Sequence, residues 1–565
     1  MSEHAVTSGR ATPTPTTESA HYRSGLADVD QSGRPAFILT RTEIKLLGIA
    51  GVGFFLDAYD LFIINPVATM LQYRLYGGGH LPPNLEGFMK AGANIGSVIG
   101  QFAFGYAADA LGRKAVYGKE LMLIILATIL TMTTPTGTLS PDNALIYLAV
   151  FRILLGIGVG GDYPMSASIT SDRSNLRKRG TMLAYIFSNQ GWGSFMGSLI
   201  TIIVLAAYKG VMEGKGQTSK VDGVWRIVVG VSLVPAFGTL YQRLTLPEST
   251  RFLASQKLKN ANAREEGDAI AELKRAQLGE DARMGNLNGP VDEKVGADAK
   301  GEEEPSSSSS LEDENAAPPE VLVKKKAHFS DFIKYFSNWK HGKMLLGTCM
   351  CWFLLDIAFY GINLNQNVVL QQIGYDGAEG TPWQRLFKIS TGNMIVTALG
   401  FVPGYYASIL TIEKLGRKWI QIQGFLMAAL FLAILAGKFE TLSKPAFIVC
   451  FALLQFFFNF GANTTTYCYP AEVFPTRFRA TAHGVSAAAG KAGAIVSALA
   501  FNTLSKDIGT PACLWIFFGC CIAGAGFTLL LPEVRNRDPD LILAEEIKEA
   551  REAMERQTAD VVAGR

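Results

Sequence analysis

The sequence predicts an all-α membrane protein in which twelve transmembrane helices form two pseudosymmetric six-helix bundles. Three observations predict it. The 565 residues are 48% hydrophobic and only 18% charged, too apolar for a soluble chain of this size unless long stretches face lipid. Between charged tails and one charged central block run roughly a dozen apolar stretches of about 20 residues, each long enough to cross a hydrocarbon core of about 30 Å as a helix. Six stretches precede the central block and six follow it.

In chain order, residues 1–43 read as a disordered cytoplasmic tail rich in Ser, Thr and Pro. The first apolar run begins near Ile44, and nothing near Met1 has the form of a cleaved signal. An N-terminal bundle, 44–246, carries spans at 44–72, 86–109, 115–134, 144–170, 181–207 and 224–245. Residues 251–327 are too polar to bury a core of their own and predict a largely disordered cytoplasmic linker. That block contains Gly301-Glu-Glu-Glu-Pro-Ser-Ser-Ser-Ser-Ser310 and ends in Lys324-Lys-Lys326, read as a basic anchor near the membrane. A C-terminal bundle, 343–531, carries spans at 343–371, 388–411, 419–437, 444–470, 482–504 and 510–531, and 532–565 form a cytoplasmic tail.

The net charge of +3 says little, but its placement orients the chain. Basic residues gather in alternate loops (Arg113, Lys114, Lys119; Arg173, Arg177, Lys178, Arg179; Arg417, Lys418; Arg477, Arg479), while most intervening loops carry few. The positive-inside bias therefore places both termini and the central block in the cytoplasm. Lys209, Lys215 and Lys220 weaken the pattern without reversing it. All seven cysteines follow residue 340, mostly inside apolar runs, and read as small core residues rather than a disulfide framework.

The halves repeat one another. Asp109-Ala-Leu-Gly-Arg-Lys114 follows the second span, and Glu413-Lys-Leu-Gly-Arg-Lys418 follows the eighth, the same place within its half. An acid, a tight glycine turn and a basic pair can tie one helix end to its neighbour through charge and dipole contacts, so Asp109, Gly112, Arg113, Glu413, Gly416 and Arg417 are candidate gating residues. In this recurrence the chain resembles the major facilitator superfamily, over nearly everything except tails and linker. Ala110 stands where that family often has a basic residue, and Ile409 replaces the equivalent of Gly105, so the second copy is degenerate. The resemblance implies two bundles around a mid-membrane cavity that opens alternately to each side.

Charges at membrane depth cost about 3 kcal/mol on insertion scales, so each is a functional candidate. The first span holds Asp57 and Asp60, whose spacing of three places them on one helical face. The third holds Lys119 and Glu120 near its cytoplasmic end, where a snorkelling role competes with a proton path. The fourth holds Arg152 and Asp162, together with four glycines that permit close helix approach. Asp162 lies beside Tyr163 and Pro164, where a loosened helix would let a carboxyl exchange protons as its exposure changes; structural pairing with Arg152 or another cation is the alternative. In the seventh span Trp352, Asp356, Tyr360 and Asn363 recur at spacings of four, four and three and share a face. Asn459, Asn463 and Tyr467 form a second stripe in the tenth span, and Asn189 and Gln190 lie in the fifth. Lys491, in a small-residue stretch of the eleventh, needs an anionic partner: Asp356, another carboxylate or a bound anion.

Three longer stretches narrow the resemblance: Gly160-Gly-Asp-Tyr-Pro-Met-Ser-Ala167, the Trp352/Asp356/Tyr360 series, and Phe458-Asn-Phe-Gly-Ala-Asn-Thr-Thr-Thr466 followed by Pro470-Ala-Glu-Val-Phe-Pro-Thr-Arg477. They are similar to the phosphate:proton symporters of fungi and plants, with Met165 in place of the common Leu. The resemblance implies a phosphate site at Tyr163, Gln190, Trp352, Asp356, Tyr360, Asn463 and Lys491. It implies proton-coupling acids at Asp57 and Asp162, with Asp60, Glu120 and Arg152 nearby. The chemistry agrees: Tyr, Trp, Asn and Gln are neutral donors to phosphate oxygens, Lys491 supplies charge, and Asp356 would accept a hydrogen bond from a P–OH group. The expected partners are inorganic phosphate, protons and the bilayer, in the plasma membrane, with a monomer sufficient and no cofactor, metal or nucleic acid. A proton-coupled porter of glycerophosphodiesters or sugars is the alternative, because Pro247-Glu-Ser-Thr-Arg251 and Pro470-Ala-Glu472 also resemble sugar-porter loops. A phosphate-sensing transporter-receptor is another. An intramembrane aspartyl protease is disfavoured, since Val159 occupies the place of a required glycine.

Overall fold

The computed structural model describes residues 35–253, 255, 329–365, 367–375, 377 and 379–562. Most of the predicted tail 1–43 and linker 251–327 lies outside the described residues. Twelve long helical segments follow in order: α1 (Arg41–Leu75), α2 (Pro83–Leu111), α3 (Arg113–Met132), α4 (Pro141–Arg173), α5 (Arg179–Gly214), α6 (Thr218–Leu244), α7 (Trp339–Asn363), α8 (Pro382–Leu415), α9 (Arg417–Gly437), α10 (Lys444–Val473), α11 (Arg479–Ile508) and α12 (Thr510–Thr528). A C-terminal helix, α13 (Pro539–Val562), follows.

Of α1 to α12, all but α2 are apolar enough, as well as long enough, to cross a membrane. The 29 residues of α2 are rich in Gly and Ala and interrupted by Asn94, Ser97 and Gln101, all three buried. Small and polar residues lower its hydropathy because it is a packing helix, pressed between α4 and α11. The lipid-facing surface is marked by large exposed apolar side chains such as Val234, Tyr241 and Trp419, at 74%, 76% and 68% exposure.

The same pairings occur in each half: α1 on α5 and α2 on α4 in the first, α7 on α11 and α8 on α10 in the second. The halves meet where α2 packs on α11 and α5 on α8. The glycines of α4 are contact points: a Cβ on Gly158 would stand 2.7 Å from the Glu120 carbonyl of α3, and one on Gly156 or Gly160 would overlap the α2 backbone. Their packing role, expected from the sequence, is thus realised.

Both Leu-Gly-Arg-Lys turns fall on one face, here the motif face. Gly112 and Gly416 adopt φ of 98° and 85°, a left-handed backbone open to glycine at little cost. Each turn starts a helix whose first free amides meet a glutamate from the far end of the same half: Lys114 N donates to Glu248 Oε2 at 3.1 Å, and Lys418 N to Glu533 Oε2 at 3.0 Å.

Candidate functional site

The stripe on α7 faces the seam between the halves, and Trp352, Asp356 and Tyr360 are buried there. A Cβ on Gly490 of α11 would overlap the Trp352 ring, so the two helices pack closely enough to bring Lys491 over the stripe. Lys491 Nζ donates to Tyr360 Oη at 2.6 Å and lies 3.7 Å from Asp356 Oδ2. It also sits 4.3 Å from the Tyr360 ring centre and 5.2 Å from that of Tyr163, which belongs to the other half. Of the partners open to Lys491, the structure places Asp356 beside it.

A second arc closes the site. Gln190 Nε2 donates to Tyr163 Oη at 2.5 Å, Tyr405 Oη donates to Gln190 Oε1 at 3.3 Å, and Asn463 Nδ2 donates to Tyr405 Oη at 2.9 Å. All seven residues read as substrate-binding therefore come together, each at most 7% exposed, with side chains from α4, α5, α7, α10 and α11. Tyr405 of α8 joins them and was not singled out by the sequence, where it is one of two adjacent tyrosines in an apolar run. Asn363 leaves the cluster: its Oδ1 accepts from Gln455 Nε2 at 2.8 Å, tying α7 to α10. Neutral donors, one ammonium and one carboxylate suit an oxyanion that still carries a proton.

The acids of the first half form a second cluster around Arg243, near the end of α6. Arg243 Nη1 lies 2.7 Å from Asp162 Oδ1 and 3.2 Å from Glu120 Oε1, with all three side chains fully buried. Gly53 of α1 leaves room for this group, since a Cβ there would overlap both Asp162 and Arg243. Asp162 also accepts from Ser166 Oγ at 2.8 Å. Its partner is Arg243, not Arg152. Asp57 is wholly buried among these groups, and both its carboxyl oxygens lack a hydrogen-bond partner among the described residues. Two carboxyls thus pair with one guanidinium and a third is buried close by without a partner, a set that one cation cannot neutralise and that protons can.

Asp60 and Arg152 stand apart. They line a small cavity with Thr128 and Thr131, and Arg152 donates to the backbone carbonyls of Met89 and Asp60, both at 3.2 Å. Lys119 is exposed at the helix start, while Glu120 is buried.

On the motif face the gating candidates bridge the halves. Asp109 accepts from Thr481 N at 2.7 Å and pairs with Arg113 at 3.2 Å, and Arg113 donates to the Thr476 carbonyl at 2.8 Å. Glu413 accepts from Thr181 N at 2.9 Å, and Arg417 lies 2.8 Å from Glu413 and 2.7 Å from Glu472. Asp172 at the end of α4 pairs with Arg479 at the start of α11. Arg251, which the sequence assigns to the start of the linker, is instead buried against Asp538 and Asp540, with Asp540 at 2.8 Å. Asp540 further accepts from Thr476 Oγ1 at 2.7 Å. Burial opposes its ionisation, but Arg251, Arg479 and these hydrogen bonds prevail and hold the carboxyl well below its ordinary range.

Comparison with known proteins adds a family. The model of a family described as "Sugar (and other) transporter" matches residues 46–285 and 296–542. The chain is 44% identical over 513 residues to a putative inorganic phosphate transporter of Schizosaccharomyces pombe, covering 89% of this chain and 88% of the relative. It is 38% identical over 517 residues to an inorganic phosphate transporter of Saccharomyces cerevisiae (88% and 83% covered), and 34% identical over 557 residues to a repressible high-affinity phosphate permease of Neurospora crassa (95% and 91%). Among solved structures, the proton:xylose symporter XylE of the major facilitator superfamily superposes with a TM-score of 0.65 at 17% identity, over 88% of this chain and 98% of that one. At that identity the likeness establishes the fold.

Proposed function

This chain belongs to the sugar (and other) transporter family of the major facilitator superfamily, and from that membership we propose that it imports inorganic phosphate together with protons by alternating access. The observation that carries the reading is the buried Lys491–Asp356–Tyr360 group of one half facing Tyr163 and Gln190 of the other. An anion entering between them displaces Asp356 from Lys491, and Asp356 turns to accept a hydrogen bond from the P–OH of dihydrogen phosphate. Tyr163, Gln190, Trp352 and Asn463 donate to the remaining oxygens. The names of the fungal relatives support phosphate as substrate.

In the same reading Asp57 and Asp162 carry the coupling protons, with Glu120 and Arg243 adjusting Asp162, and Asp60 and Arg152 bordering the path. An ionised carboxyl with no partner at this depth is costly, so the closed state favours Asp57 in its neutral form. Protonation of the cluster accompanies closure around substrate, and release follows when the motif face opens. More than one proton per anion allows entry against an inside-negative potential of about 2.3 kcal/mol per charge per 100 mV. The motif face is cytoplasmic by its Arg and Lys residues, the membrane is the plasma membrane, a monomer suffices, and the proton gradient drives the cycle without a cofactor.

The test is uptake of labelled phosphate by liposomes containing the purified chain. Accumulation is expected when the outside is acidic, with collapse on adding a protonophore and no competition from glucose or glycerophosphoinositol. Absence of accumulation under an imposed pH gradient sinks the reading; competition by the organic solutes moves the chain to the sugar or glycerophosphodiester class.

A further inference from the structure

A separate cavity opens on the motif face between the first turn of α7, the start of α9, the end of α12 and α13. Its volume is about 370 Å³, at the lower end of ligand pockets and room for a phosphorylated headgroup. Its charge is unbalanced. Of the two carboxylates on its wall, Glu472 is taken by Arg417 at 2.7 Å, and Glu546 by Lys340 at 2.7 Å and by His341 Nε2 at 3.4 Å. Lys343 and Arg537 line it with no ion-pair partner among the described residues. His341 also lines it, is 6% exposed, stacks on Tyr335 at 4.0 Å between ring centres, and has a buried Nδ1 with no hydrogen-bond partner among the described residues. A buried ring nitrogen left without a partner is costly and marks where a ligand atom would satisfy it.

The rim carries exposed apolar side chains. Trp339, Trp419 and Leu529, exposed by 66%, 68% and 66%, stand beside Lys340, beside Lys418 and on the cavity wall respectively. Tryptophan beside lysine at a helix end is the pattern of a membrane interface. Pro539 and Ile542 of α13 form the opposite wall, next to the Asp538 and Asp540 that hold Arg251.

We propose that this cavity binds a phosphomonoester headgroup carried by an anionic phospholipid of the adjoining leaflet, and that the occupant braces α13 against α7. The phosphate is held by Lys343, Arg537 and His341, and the acyl chains run along Trp339, Trp419 and Leu529. The site is distinct from the central cluster and does not depend on what that cluster carries.

The full chain in detergent is titrated with short-chain phosphatidylinositol monophosphate, soluble inositol bisphosphate and short-chain phosphatidylcholine, and thermal unfolding is followed. The anionic lipid is expected to raise the unfolding midpoint and phosphatidylcholine to leave it unchanged. Lys343→Gln and Arg537→Gln should each weaken the apparent affinity about five-fold, and together about 25-fold. Stabilisation by the lipid alone assigns the headgroup to lipid; equal stabilisation by inositol bisphosphate keeps the phosphomonoester site and assigns it to a soluble ester. Phosphate uptake by the double variant in phosphatidylcholine vesicles should match wild type, which separates lost binding from lost folding. Amide exchange across α13 should slow with lipid in wild type only. A wild type indifferent to both phosphorylated probes, or a double variant that binds them like wild type, overturns the site; unchanged exchange overturns the bracing.

Discussion

Asp356 and Lys491 neutralise each other at 3.7 Å with nearly complete burial, so removing either strands the other. Losing one member of such a pair costs about 3–5 kcal/mol, far more than losing both. Asp356→Asn is therefore expected to lower phosphate uptake about 100-fold or more and to lower the melting temperature. Adding Lys491→Gln should restore the melting temperature but not uptake. Recovery of both would reduce the pair to a structural role; a single variant that keeps phosphate uptake and its preference over sulfate would remove Asp356 from the site. Tyr405 makes a finer case. It accepts from Asn463 at 2.9 Å and donates to Gln190 at 3.3 Å, so Tyr405→Phe removes two hydrogen bonds of about 1 kcal/mol each while keeping the ring. Its KM should rise several-fold to about 30-fold with the melting temperature little changed, measured by uptake at varied phosphate.

At the scale of elements, glycine contacts set which charges meet. Gly53 of α1 lies against the Asp162–Arg243 pair, and a methyl group there would overlap both side chains. Gly53→Ala should force α1 away from α4 and α6 and misalign the pair, at about 1–3 kcal/mol of overpacking. Proton-driven accumulation should fall more than phosphate exchange at equal pH, because the acids proposed to carry protons are disturbed and the central cluster is not. Equal loss of both would mean the pair only supports packing. Prolines sit at matching places in the two halves: Pro164 lies inside α4 beside Asp162, and Pro470 inside α10 just before Glu472, each removing one backbone donor. α10 also breaks between Asn459 and Ala462, where Gly461 meets Gly424 of α9. A missing proline donor and a broken helix leave backbone carbonyls free at these places.

For the whole molecule, the motif face joins charges from both halves and from the C-terminal tail. Arg479→Gln leaves Asp172 buried without its partner from α11 and should favour the open motif face. Cys468, fully buried in α10, would report it. In a background with the other six cysteines replaced, its maleimide labelling is expected to rise about ten-fold or more in the variant, whereas an unchanged rate would mean the ion pair does not hold the face shut. The tail contact has a defined pH range. Asp540 has a depressed folded-state pKa, so its contribution is present above the unfolded value near 3.9 and is lost as pH falls through the folded one. The melting-temperature difference between wild type and Asp540→Asn should thus stay constant from about pH 5 to 8 and shrink only below about pH 4. A difference that fades between pH 7 and 5 would show that the contact is not held this way.

What the sequence determined by itself lies in consecutive residues. Apolar runs of about 20 residues, the duplicated Leu-Gly-Arg-Lys turn and the i, i+4, i+8 stripe of Trp352, Asp356 and Tyr360 follow from hydropathy and helical period, so the twelve spans and much of the central site were legible. Resemblance supplied the remainder of that residue set. The low hydropathy of α2 obscured nothing, because its length and position in the repeat still marked it. Partner choice was not legible. Arg243, four residues before Pro247, carries no local signal of its partners and is enclosed only when α6 packs against α1 and α3; Arg152, named from the sequence beside other cations as the alternative structural partner of Asp162, shares its helix but does not pair with it. Tyr405 is found only when α8 meets α5, and Arg251 only when a segment nearly 290 residues later folds back on it. These contacts depend on which helices touch and how closely, and that is decided by small residues at crossings between distant segments, where no local periodicity reaches.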